Sequence, residues 1–175
     1  MRAIWKRELQ AYFLTPTGYV FMGVFLLLSS VMFYLQIMQT RSSDLPTFVG
    51  QMSYLWMLLS PVLTMRLLAE ERQRRTDQLL LTSPVSVWGI VLGKFFAMAA
   101  VFALPCAVDA VMIFILWALG GTVSALIANL AGLLCYFLLG CAAIALCEFL
   151  SGLTENQIIA AVAGFSALLL AYLMP

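Results

Sequence analysis

Long uncharged stretches alternate along this chain with short charged clusters. No charged residue falls between Glu8 and Arg41, between Asp44 and Arg66, between Asp109 and Glu148, or after Glu155. Each stretch holds at least one apolar run of roughly 20 residues, the length of helix that crosses a hydrocarbon core of about 30 Å. The pattern predicts five spans, over residues 19–38, 48–65, 95–119, 123–147 and 157–173, with Pro61 kinking the second and Gly120-Gly121 as a tight turn. Before the first span, Trp5, Leu9, Tyr12 and Phe13 recur at helical spacing, while Arg2, Lys6, Arg7 and Gln10 lie mostly on other faces. Residues 2–14 are therefore expected to lie as an amphipathic helix in the membrane interface, aromatics at headgroup depth. Thr15-Pro16-Thr17-Gly18 breaks that helix and turns the chain into the bilayer. The basic start followed by an apolar run imitates a secretory signal. The run is too long for one and no small-residue cleavage site follows, so it reads as a retained first span.

Composition agrees with the pattern. Hydrophobic residues make up 64% and charged residues 10%, with a mean hydropathy of +1.04. So few charges cannot cover a soluble core of this size. The expected fold is all-α, a multi-pass integral membrane helical bundle forming one transmembrane domain over residues 1–175. The net charge of +1 gives no field for nucleic acid. The absence of histidine removes His-ligated haem, most zinc and di-iron designs, and Ser-His or Cys-His nucleophile pairs. Cys106, Cys135, Cys141 and Cys147 lie in apolar stretches without metal spacing and read as small hydrophobes. No catalytic residue, cofactor site or metal site is expected.

The Lys/Arg bias sets the orientation. With the N-terminus in the cytoplasm, Arg2, Lys6, Arg7, Arg66, Arg72, Arg74, Arg75 and Lys94 are cytoplasmic or at that interface, and Arg41 alone is outside. The expected location is the inner (plasma) membrane. Outer loops are too short for a ligand-binding domain. The inner face has substance mainly between the second and third spans.

That segment, residues 66–86, carries two i,i+4 pairs with the acid N-terminal, Glu70 with Arg74 and Glu71 with Arg75. Each is worth about 0.2–0.5 kcal/mol to a solvated helix. The second span is thus expected to continue as a helix into the cytoplasm. Thr76 can cap a second short helix through Asp77 and the leucines, and Ser83-Pro84 places proline where a new helix starts. One reading is a solvated loop obeying the positive-inside rule. The other rests on Leu79, Leu80 and Leu81, which stand beside charges outside the bilayer and need an apolar partner. The membrane surface, another span and a separate protein all qualify.

Three stretches together resemble a known family. They are Pro61-Val-Leu-Thr-Met-Arg-Leu-Leu-Ala-Glu-Glu-Arg, Leu79-Leu-Leu-Thr-Ser-Pro-Val and Val91-Leu-Gly-Lys-Phe. They are similar to the permease subunits of type-2 ABC exporters (ABC-2 type), nearest the gliding-motility-type and nitrous-oxide-maturation-type branches. Lys6-Arg-Glu-Leu, Tyr12-Phe and Pro16-Thr-Gly-Tyr-Val match the same pattern, which covers residues 2–100. The resemblance implies a separate ABC ATPase subunit that binds the ATP, and export of an unidentified substrate. Five spans of this length enclose too little volume for both a pathway and its walls, so the permease is expected to work as a dimer, with a second copy or a homologous chain.

In that family the segment between spans two and three is the coupling helix, docked in a groove of the ATPase. Carried over, Glu70, Glu71 and Arg72 match the charged run ending span two. Thr76, Asp77, Leu79, Leu80, Leu81, Ser83 and Pro84 match the coupling helix and its re-entry turn, and Gly93-Lys94 matches the interfacial start of span three. Two positions depart from the pattern: Arg75 stands where a glycine is usual, and Gln78 where a glutamate is common. Six spans are usual for the family against the five counted here, so the chain reads as truncated or as a short member. No GxxxxGK[ST] motif is present, in keeping with ATP on another chain.

Other candidates stand apart from that segment. Asp109 is an acid well inside a span, read either as lining a transport pathway or as hydrogen-bonded to a neighbouring span. Glu148 and Glu155 flank the second cytoplasmic turn, with Thr154 and Asn156 as caps for the last span, or form a smaller ATPase contact. Ala128/Gly132 and Ala160/Gly164 permit close helix approach, within the chain or across a dimer. Two rival classes remain: an intramembrane enzyme, which lacks histidine or paired carboxylates within a span, and a non-transporting scaffold or assembly factor.

Overall fold

The computed structural model describes residues 2–14, 16–40, 56–64, 87–119, 122–154 and 156–174, and all the regular structure among them is helical. In chain order the helices are α1 (Arg2–Leu14), α2 (Pro16–Thr40), α3 (residues 56–64), α4 (Val87–Ala118), α5 (Val123–Leu153) and α6 (Gln157–Leu173). Three are long and apolar enough to cross a membrane: α2 over Gly18–Leu35, α4 over Trp88–Ala118, and α5 over Val123–Leu153. The 17 residues of α6 form a shorter apolar helix. The chain is a multi-pass helical membrane bundle.

The expected interfacial helix is α1, and Pro16 occupies the first position of α2. Proline suits that place because its missing N–H would have no partner in a first turn. The break between α1 and α2 is thus narrower than the four residues expected. The chain turns so tightly that a Cβ on Gly18 would overlap the Tyr12 carbonyl.

The third and fourth spans belong to helices longer than their apolar runs suggested. α4 begins at Val87, so the lead-in expected before Phe95 is continuous with the span. α5 runs past Cys147 to Leu153. At 1.5 Å per residue these helices are about 48 and 46 Å long, well beyond the hydrocarbon core. The polar residues that seemed to mark their ends, Lys94 and Glu148, lie instead on buried faces. Polarity stops an apolar run in the sequence, but it does not stop a helix. Thr122 caps α5, its hydroxyl accepting from the Ala125 N–H at 3.2 Å.

α4 packs against α1, α2 and α5, and α5 packs against α6. The core between them is aromatic: Phe21 and Phe25 from α2, Trp56 from α3, Phe102 from α4, Tyr136 and Phe137 from α5. Trp56 stacks on Phe102 with centroids 3.7 Å apart, and Phe25 meets both rings edge-on. Lipid tails are as apolar as these rings, so burial from water does not hold such a core. Close packing does, and each aromatic pair adds about 0.5–1.5 kcal/mol beyond area. α5 approaches α4 closely because Gly140 faces Phe102, whose ring occupies the space a Cβ would need. Of the small-residue pairs expected to mediate contact, Ala160 and Gly164 are buried, with Gly164 against Cys147 and Pro61. Ala128 instead faces outward. The remaining large apolar side chains, such as Leu27, Phe114, Leu138 and Val162, point away from the bundle, where lipid solvates them.

Candidate functional site

At one end of the bundle, where α4 begins and α5 ends, three charged side chains from three helices are buried together. Lys94 is 1% exposed, Glu148 3% and Glu8 9%. Such groups are almost never fully buried unless paired. The Lys94 ammonium lies 3.4 Å from Glu8 Oε1, and the same oxygen accepts from the Arg7 guanidinium at 3.1 Å. Arg7 is the exposed member of the group, with 56% of its side-chain surface open. Glu148 stands close enough to be attracted by Lys94 and repelled by Glu8. Its Oε1 has no hydrogen-bond partner among the described residues. Ser151, one turn further along α5, is buried on the same face.

The sequence builds this arrangement in simple steps. On α4, Gly89, Gly93 and Ala97 recur every fourth residue on the buried side, and small residues let a neighbouring backbone come close. α1 packs on α4. Its Leu9 and Tyr12, members of the face expected in the membrane interface, pack against the core, but Glu8, and not an aromatic, is its most deeply buried described side chain. Tyr12 donates its phenolic hydrogen to the Leu63 carbonyl at 2.9 Å, tying α1 to α3 as well. Among the described residues, an ion pair and a hydrogen bond thus tie α1 to the two helices that bracket residues 65–86.

A second buried polar contact lies on the same helix in its other half. Asp109 is 2% exposed, and the Ser29 hydroxyl of α2 donates to its Oδ1. Asp109 Oδ2 has no partner among the described residues. Cys106 and Tyr136 are near enough to interact with this carboxyl. Of the two readings of Asp109, the hydrogen bond to a neighbouring helix is present in the structure.

Most residues singled out from the sequence lie elsewhere. Glu70, Glu71, Arg72, Thr76, Asp77, Leu79, Leu80, Leu81, Ser83 and Pro84 are all outside the described residues, as are Gly120, Gly121 and Glu155. Asn156 caps α6 as expected, its side chain accepting from the Ile158 N–H at 3.0 Å. Glu148, expected beside the second cytoplasmic turn, is inside the bundle, a turn and more before α5 ends. Lys94, expected at the start of a span, is about two turns into α4. Glu8, Lys94 and Glu148 were visible only as separate letters. Helical spacing from Val87 would have put Lys94 on the stripe of Ile90, Val101 and Phe102, and that was the available signal.

No group of His, Cys, Asp or Glu among the described residues could hold a metal ion. No curated protein matches the chain. The family model for ABC-2 family transporter proteins matches residues 7–175, nearly the whole chain. With its membrane-spanning helices, this match shows that the chain belongs to the ABC-2 transporter family and is the membrane component of a transporter.

Proposed function

We propose that this chain is the membrane-spanning permease of an ABC-2 exporter. In this reading it converts ATP hydrolysis on a separate ATPase subunit into movement of a substrate. The family match over residues 7–175 is the observation that carries the reading. The geometry supports it, since α1 is fastened to α3 and α4, the helices on either side of the segment assigned to coupling. A movement of that segment would be felt first at Lys94 and Tyr12. Because one chain of this size leaves little volume for both a pathway and its walls, the working unit is a dimer of permeases with two ATPase chains. The N-terminus and residues 66–84 are cytoplasmic, on the eight-to-one Lys/Arg bias, in the inner membrane. The likeness to the gliding-motility and nitrous-oxide-maturation branches rests on the motifs alone.

Leu79, Leu80 and Leu81 would sit in the ATPase groove, each fully buried side chain contributing about 1.5–3 kcal/mol. Glu70, Glu71 and Arg72 would orient the contact from its rim, where exposed ion pairs give about 0–1 kcal/mol. Thr76, Asp77, Ser83 and Pro84 would shape the two turns. Leu80→Asp is expected to release the ATPase from solubilised complexes while the spans still insert. Retention equal to the parent's would mean that the leucines face the lipid or another span, and would remove the coupling role. Orientation is checked separately by single-cysteine labelling in intact cells. An outside reagent should reach Ser43→Cys and not Gln73→Cys, and the reverse would invert the topology.

A further inference from the structure

We propose that Asp109 is a proton-binding site, exchanging its proton through a niche between α4 and α5 in the half of the bundle away from α1. The carboxyl is 2% exposed, and its Oδ1 accepts from the Ser29 hydroxyl of α2. Its Oδ2 is buried without a hydrogen-bond partner among the described residues, and no ion pair among them involves it. A carboxylate ion so placed is costly, since nothing around it replaces the lost water. The neutral acid avoids that cost: the proton sits on Oδ2 and Oδ1 keeps the Ser29 hydrogen bond. One carboxyl and one hydroxyl are too few for a metal cation, because a hard ion such as Ca²⁺ takes about six to eight oxygens.

The elements packed on α4 bring no charge to this place. α2 offers Ser29, which does not titrate, and α5 offers Tyr136, a weak acid like Cys106 of α4 itself. Residues 56–64 of α3 include no titratable side chain. Arg7 and Glu8 of α1 gather at Lys94, 15 residues from Asp109. The route begins one turn along α4. Ile113, itself 2% exposed, lines a niche of about 160 Å³ together with Trp117, Thr122 and Asn129. The Thr122 hydroxyl and the amide of Asn129, which is 4% exposed, make the niche polar enough to suit water. Four residues of helix rise about 6 Å, so Ile113 forms the partition between the niche and the turn that carries Asp109. On release the O–H bond breaks, its electron pair stays on the carboxylate, and the proton passes to water in the niche; uptake is the reverse. The site rests on no part of the function proposed above, and its test needs neither ATPase nor substrate.

The test is infrared difference spectroscopy of the chain in lipid nanodiscs, which separates the carbonyl stretch of a carboxylic acid from the bands of a carboxylate. Subtracting the spectrum of Asp109→Asn from the parent's at neutral pH should leave an acid band, and its absence would overturn the proposal. Ser29→Ala should move that band to higher frequency without removing it, as for a carbonyl that loses a hydrogen bond. An unmoved band would show that Ser29 does not hold the acid. The route is read from the rate at which the band shifts after transfer to heavy water. Ile113→Ala thins the partition and should speed the shift severalfold; Asn129→Leu makes the niche apolar and should slow it. An unchanged rate in either variant sinks the route, so one decides should the other fail to fold. Replacing sodium by a bulky organic cation at constant pH should leave the band as it was. A band that grows when sodium is withdrawn would make this a metal-cation site and overturn the assignment to a proton.

Discussion

Helix α4 carries two buried ionisable groups, Lys94 and Asp109, 15 residues apart, and the bundle treats them in opposite ways. Around Lys94 it gathers formal charge, with Glu8, Glu148 and the exposed Arg7. Around Asp109 it supplies a hydroxyl from Ser29, with Cys106 and Tyr136 nearby. The separation is about 22 Å along the helix. Lys94 is seven residues from the first residue of α4 and Asp109 nine from its last, so the two lie in opposite halves of the helix. Desolvating an ion is expensive, so a buried charge needs partners. The comparison teaches that this bundle concentrates its formal charge at the end where α1 docks and meets the acid in the other half of α4 with a hydroxyl.

If that contrast is right, removing the cation should hurt most. Lys94→Met would leave Glu8 and Glu148 facing each other without their buried counter-charge, and is expected to cost about 3–5 kcal/mol. Thermal unfolding of the detergent-solubilised chain measures this, and parent-like stability would show that the cluster is not held by charge. At the other place the loss should be smaller. Ser29→Ala withdraws the donor from a buried carboxyl, with an expected cost of about 1–3 kcal/mol. An effect as large as that of Lys94→Met would mean the two regions do not differ in kind. Smallest of all should be Asp109→Asn, which keeps an acceptor for Ser29 and removes the ability to ionise. Stability within about 1 kcal/mol of the parent is expected. A large loss would show that Asp109 carries a charge with a role of its own, the reading in which it lines a pathway.

Much of the fold was legible because its signals are local. Charge gaps and apolar run lengths depend on neighbours in sequence, and they gave the helical membrane class, the helix over residues 2–14 and the cap at Asn156. The helix ends over 87–94 and 148–153 were not legible, because a polar residue looks the same whether it faces solvent or a partner on another helix. Ser29 could not be matched to Asp109 for a related reason: 80 residues separate them, and only packing makes them neighbours. Gly140 was passed over because the side chain it makes room for, Phe102, lies on a different helix. In each case the missing information was which helix stands opposite, a property of the bundle and not of any segment.

That last contact has a mechanical consequence. Phe102 against Gly140 is where α4 and α5 have no room left between them. It lies eight residues from Lys94 and seven from Asp109, arms of about 12 and 11 Å. Two packed rods whose closest approach is this tight can rock about it more easily than they can slide past it. A tilt that brings the Lys94 end of α4 toward α5 carries the Asp109 end away from it by nearly the same distance. In such a tilt the ring and the glycine would act as a fulcrum with balanced arms, returning a displacement of one half of α4, reversed in sign, in the other.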